Sequence, residues 1–184
     1  MKDRVKRVPA RARERTQLPP RAAAGDEPGR PLAARLSVRP ARRSDVDAVT
    51  ALDGSITGLP KSAHWLELYR RQAGSTAASS GVIFLVATPA EQSDRVLGFI
   101  VGEIRAWEFG SAPCGWVYAL SVEPGARLNG VAETLLDAVA AEFRKAGMTK
   151  MRTMVAREDR LPMLFFRGEG MMAGPYIQLE KELK

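Results

Sequence analysis

The chain is poor in the residues from which metal and disulfide chemistry is built, with one cysteine, Cys114, and one histidine, His64, in 184 residues. A lone cysteine excludes an internal disulfide framework and fits a reducing cytoplasm, and one Cys with one His cannot make up a tetrahedral His/Cys zinc site. Long apolar runs are also missing. The longest, Gly81 to Ala87, has seven residues, whereas a membrane-spanning helix needs about 20. The expectation is a soluble, cytoplasmic chain with no metal and no membrane partner.

The net charge of +7 suggests nucleic acid until it is located along the chain. Residues 1–43 hold 13 Lys+Arg and 4 Asp+Glu, a balance of +9, whereas residues 44–184 hold 15 and 17, a balance of −2. Residues 1–34 have no aromatic residue, almost no aliphatic periodicity and 5 of the 12 prolines. It cannot bury enough apolar surface to offset the entropy of ordering, so residues 1–34 are expected to be a disordered basic tail ahead of a domain at 35–184. Weak contact of this tail with nucleic acid or anionic surfaces is all that electrostatics supports. Asp3, Glu14, Asp26 and Glu27 argue against an organelle-targeting peptide.

From Leu36 the pattern alternates between short strands and helices. Leu36–Arg39 predicts a strand stopped by Pro40. Ser44 with Asp47 resembles a capping box, and Val46, Val49 and Leu52 follow at helical spacing as far as Gly54. A second helix is expected over Lys61–Ala73, a buried strand over Val82–Ala87, and its antiparallel partner over the long run Val96–Phe109. Gly115–Val122 predicts another strand. After it, Val131, Leu135, Val139 and Phe143 fall at i, i+4, i+8 and i+12 until Gly147. A strand thus feeds a loop that opens directly into an amphipathic helix. That geometry offers unpaired helix and loop N–H groups to an anion above the strand end, such as a pyrophosphate.

The loop reads Arg127-Leu128-Asn129-Gly130-Val131-Ala132, preceded by Val122-Glu123-Pro124. It resembles the Gln/Arg-x-x-Gly-x-Gly/Ala signature of the GCN5-related N-acetyltransferase (GNAT) superfamily. The resemblance extends over about residues 36–183: a first strand, two helices, an antiparallel three-strand run, the signature helix, a strand Thr149–Val155, a short helix and a final strand. It implies an α+β fold (α/β by some schemes), a central mixed, mostly antiparallel sheet flanked by helices. It also implies acetyl-CoA as co-substrate, with Arg127, Leu128, Asn129, Gly130, Val131 and Ala132 at the pyrophosphate and the backbone of Leu120 and Val122 beside pantetheine. Gly130 permits close approach because it lacks a Cβ. Two departures stand out. Leu128 replaces a glycine common in relatives, and Glu133 sets a carboxylate in the first helical turn, where it is expected to face solvent.

Acyl transfer to an amine needs a group to take the amine's proton, and the departing thiolate benefits from a donor. Relatives often supply the donor from a tyrosine in a Phe-Tyr-x-x-x-Gly-Phe-like run. The corresponding stretch here begins Phe165-Phe166, so the hydroxyl is missing. Glu103 stands in phase with Leu97, Phe99 and Val101 and interrupts their apolar face, as a general base or as the ion-pair partner of in-phase Arg105. Tyr118 shares a face with Trp116, Leu120 and Val122 by simple alternation and is a candidate thiolate donor or a packing residue. Tyr176 is a third donor candidate, and Glu108 is placed at the acceptor mouth.

Other residues are read more plainly. His64 is expected to be a surface helix histidine, Trp65, Trp107 and Phe109 core rather than substrate contacts, and Cys114 buried and inert. The best reading is an N-acyltransferase that moves an acetyl group from acetyl-CoA to a primary amine of a small molecule or protein by direct attack, with a homodimer left open. A catalytically weak acyl-CoA-binding or regulatory module is the alternative, and a nucleic-acid-associated protein driven by the tail is a third.

Overall fold

A computed structural model describes residues 35–74 and 81–183, and the basic tail lies outside them. The organising strand is β2, Val82–Pro89, whose residues 82–88 are all buried. An unbroken apolar run of this kind suits a strand covered on both faces. It pairs antiparallel with β1, Leu36–Pro40, on one side and with β3, Gly98–Arg105, on the other. Next come β4, Cys114–Val122, antiparallel to β3, and β5, Met151–Thr153, parallel to β4. The strands lie in the order β1-β2-β3-β4-β5.

Helices α1, Val46–Thr57, and α2, Ser62–Ala73, cover one face. There Val49, Trp65 and Leu68 pack on Phe84, Phe99 and Val101. Helix α3, Val131–Lys145, covers the other with Leu135, Val139 and Phe143 against Ile83, Ile100 and Val117, and α4, Arg160–Gly168, adds Phe166. The Phe143 ring reaches the sheet because Gly102 and Gly115 carry no side chain. A Cβ on Gly102 would lie 2.6 Å from it and one on Gly115 2.3 Å, inside van der Waals contact.

Two buried carboxylates fasten the first helices. Asp45 receives Arg39 Nη1 and Nη2 at 2.6 and 2.9 Å and the Arg42 amide at 2.6 Å, while Arg39 also donates to the Ser93 carbonyl. Burial pushes the Asp45 carboxyl up, but Arg39 and the Arg42 amide prevail and hold it below the usual carboxylate range. Asp53 on α1 accepts from Trp65 Nε1 at 3.2 Å and Lys61 Nζ at 2.9 Å, joining α1 to α2.

Several expectations are corrected. Asp45 with the Arg42 amide, rather than Ser44 with Asp47, makes the carboxylate bond ahead of α1. That helix passes Gly54 and ends at Thr57, where Gly58 turns left-handed at φ 74°. Strand β3 is shorter than Val96–Phe109, since Trp107 and Phe109 adopt φ of 62° and 45° and cannot extend a strand. The strand expected over Thr149–Val155 contracts to β5. No final strand forms among the described residues; 171–183 carry no helix or strand, and Ile177, Leu179 and Leu183 are exposed.

Candidate functional site

The site begins with an irregularity in β4. Val101 pairs with Ala119 but Gly102 pairs with Val117, which leaves Tyr118 as an inserted residue, a β-bulge. The insertion changes the alternation. Tyr118 and Ala119 both pack toward α1 and α2, whereas Val117, Leu120 and Val122 pack toward α3. The expectation that Tyr118 shares a face with Leu120 and Val122 is therefore wrong. Leu97, just ahead of β3, likewise packs on the α3 side, so Glu103 is in phase with Phe99 and Val101 only.

The bulge also marks where β4 loses its neighbour. Strand β5 pairs only with Gly115–Val117, so among the described residues β4 beyond Val117 has an open edge. The Glu123 amide donates to the Leu97 carbonyl on the β3 side. Alternation therefore directs the main-chain groups of Leu120 and Val122 toward that open edge. The Val122 carbonyl receives Arg127 Nε at 3.3 Å, which draws the guanidinium to the strand end.

Between β4 and α3 the backbone alternates in handedness. Leu128 has φ 62° and Gly130 φ 79°, with Asn129 between them outside the left-handed region. Successive amides in such alternating conformations form an anion-binding concavity. Asn129 Nδ2 donates to the Arg127 carbonyl at 3.0 Å, and Thr134 donates to the Gly130 carbonyl from both its amide and its hydroxyl. The amides of Leu128, Asn129, Gly130, Val131, Ala132 and Glu133 have no acceptor among the described residues. Unpaired amides of this kind can bind an anion, and the positive end of α3 lies behind them. Glu133, expected to face solvent, is only partly exposed.

On the α1/α2 face, Glu103 pairs with Trp116 across the strands. Its carboxylate accepts from Arg105 Nε at 2.7 Å, and the Arg105 guanidinium lies over the Trp116 ring at 4.5 Å. Burial first, then the negative charge of Glu103, pushes the Tyr118 phenol up to about 12. Glu103 and Tyr118 are thus brought within electrostatic reach of each other.

The remaining candidates separate. His64 is exposed, in edge contact with buried Trp65 at 4.9 Å, and Cys114 is buried. Trp107 and Phe109, expected in the core, are exposed, because the left-handed turn lifts both rings off the sheet. Tyr176 is exposed beside Arg152 at 4.9 Å, and Phe166 is buried against Phe165. The bulge is the feature that sequence alternation missed. Two surface cavities, about 410 and 660 Å³, lie by α1 and Pro60 and by β1, β2, α2 and α3, away from the loop.

Comparison with known proteins follows this geometry. The sequence model of the acetyltransferase (GNAT) family matches residues 49–166. No curated protein sequence matches the chain. Solved structures of similar fold include an aminoglycoside acetyltransferase from an uncultured soil metagenomic sample, in complex with trehalose (14% identity, 83% of this chain and 99% of that one, TM-score 0.65). An aminoglycoside 6'-N-acetyltransferase from Acinetobacter baumannii gives 16% identity, 81% and 99% coverage and a TM-score of 0.66. An aminoglycoside N-acetyltransferase in complex with CoA gives 16% identity, 80% and 94% coverage and a TM-score of 0.67.

Proposed function

Since the chain belongs to the GNAT acetyltransferase family, we propose that it transfers an acetyl group from acetyl-CoA to a primary amine by direct attack in a ternary complex. The observation that carries this reading is the row of unpaired amides from Leu128 to Glu133, set beside the open edge of β4. A diphosphate needs several donors that make no competing bond, and pantetheine needs strand-like main-chain groups; both kinds are present in order along the chain. Arg127, Leu128, Asn129, Gly130, Val131 and Ala132 would hold the diphosphate, and Leu120 and Val122 the pantetheine amides. Structures of similar fold whose proteins act on aminoglycosides, and one bound to CoA, are consistent with an amine-bearing acceptor.

The co-substrate supplies an activated acyl carbon, and the chain manages protons. An alkylammonium has a pKa near about 10, so most of the amine must lose a proton before it attacks. Glu103 takes that proton on the α1/α2 face, directly or through one water. As the N–C bond forms and the C–S bond breaks, the Tyr118 hydroxyl donates a hydrogen bond to the sulfur. A phenol at about 12 is a weaker acid than a thiol near about 8.5. Tyr118 therefore keeps its proton and stabilises developing charge, and solvent protonates the thiolate. In this reading residues 35–184 form the catalytic unit, 1–34 are an appendage, and the enzyme works in the cytoplasm without a metal.

Phe166 favours the second reading, a binding module, because it lacks the hydroxyl usual at its position. Calorimetric titration with acetyl-CoA, followed by thiol release with an amine panel, separates the two. Binding with turnover supports the transferase, binding without turnover the module, and no heat at millimolar acetyl-CoA rejects both.

A further inference from the structure

The segment joining β3 to β4 holds its side chains at a conformational cost that folding does not explain. Trp107, Phe109 and Gly110 have φ of 62°, 45° and 75°. An L residue in this region costs about 1–2 kcal/mol, and the two aromatic residues recover little by packing, since Trp107 is 73% exposed and Phe109 fully so. Strain of this kind persists where the presented side chains serve binding. Between the two rings stands Glu108, 3.9 Å from Arg105 Nη1 and so outside hydrogen-bond range, whereas Arg105 is tightly engaged by Glu103 at 2.7 Å. Two carboxylates share one guanidinium, which leaves a net negative charge beside two exposed aromatic faces. Carboxylate and ring faces together attract an organic ammonium.

The loop is also continuous with the candidate reaction centre. Glu103, Arg105, Trp116 and Tyr118 form one row along the α1/α2 side of β3 and β4. Arg105 pairs with Cys114, four residues before Tyr118, about 13 Å at the rise of a strand. Arg71 acts on Tyr118 from the end of α2, and Arg152 on β5 meets Ser111 and Tyr176.

We propose that Glu108, bracketed by Trp107 and Phe109, is an acceptor-specificity residue that binds a second ammonium of the acceptor, so that elongated diamines and polyamines are preferred to monoamines. This rests on the transferase reading, and direct binding tests it separately. Calorimetry with 1,8-diaminooctane and octylamine is expected to show the diamine binding about fivefold tighter, the scale of one exposed ion pair. Glu108→Gln should abolish that preference, Trp107→Ala with Phe109→Ala should weaken both ligands, and Glu91→Gln on the exposed β2–β3 turn should preserve it. Equal binding of the two amines by the unaltered chain, no diamine heat at millimolar concentration, or a preference that survives Glu108→Gln would overturn the proposal. Titration with acetyl-CoA reports on the parent reading independently. Its failure with the diamine preference intact removes the transferase and keeps the ammonium site.

Discussion

Arg105 Nε lies 2.7 Å from Glu103 Oε1, so the carboxylate that interrupts the apolar side of β3 is held by a cation two residues along its own strand. The pair fixes the orientation of Glu103. If Glu103 is the base, Glu103→Gln should lower kcat by about 10²-fold or more, with the acetyl-CoA KM unchanged. Arg105→Ala should cost less, because it loosens the carboxylate without removing it. Equal losses in steady-state kinetics would make the pair structural.

Gly130 and Leu128 occupy the same left-handed region and predict opposite results. Gly130→Val should weaken acetyl-CoA binding at least tenfold by calorimetry, through strain and through a side chain over the amides. Leu128→Gly should relieve strain and raise stability by on the order of 1 kcal/mol in denaturant unfolding. A destabilised Leu128→Gly protein would contradict the assigned loop conformation.

Tyr118→Phe should reduce kcat about tenfold or more by removing a donor to the sulfur, with little change in acetyl-CoA affinity. The phenol is pushed up to about 12, above its unfolded value near about 10. Its contribution to stability is therefore complete below about pH 10 and lost as pH rises through the folded value. Ultraviolet titration should show one tyrosine, absent in Tyr118→Phe, ionising well after the others.

Asp45 behaves in the opposite sense. Its folded pKa is depressed, so its stabilisation is complete above the unfolded value near about 3.9 and lost as pH falls through the folded one. Asp45→Asn should destabilise by about 3 kcal/mol, leaving Arg39 without its partner. The acid limb of a Tm-against-pH curve should flatten in the variant, and an unchanged limb would refute the assignment.

Most of the architecture could be read from periodicity, and the reasons for the misses are local. The buried run from Val82 and the helical spacing of Val131, Leu135, Val139 and Phe143 announce β2 and α3, because burial on two faces or on one stripe is written directly into residue order. Gly54 misleads as a helix stop; α1 continues through it, and the left-handed turn comes at Gly58. Trp107 and Phe109 have high strand propensity, yet a tight turn takes them out of β3.

The candidate site divides in the same way. Gly130, at the head of α3, is legible because a strand, a glycine and an amphipathic helix follow one another. Tyr118 as a bulge is not, since Trp116, Tyr118, Leu120 and Val122 keep perfect alternation in sequence while the chain shifts by one in space. The Glu103–Arg105 pair was visible as an alternative, because the two residues are in phase. Glu108 is placed at the acceptor mouth by its position near the strand end, but the exposure of Trp107 and Phe109 on either side of it is not encoded in spacing.

The inserted Tyr118 makes the length of β4 as consequential as its composition. Removing Tyr118 would join Val117 to Ala119 in an unbroken ladder with Leu120 and Val122 still toward α3, whereas removing one residue between Ala119 and Val122 would rotate everything downstream by half a period and drag the loop ahead of α3 out of place. This strand should therefore accept many side-chain replacements and a deletion at the bulge but no single-residue deletion beyond it, and libraries that vary length and identity separately would reveal that asymmetry.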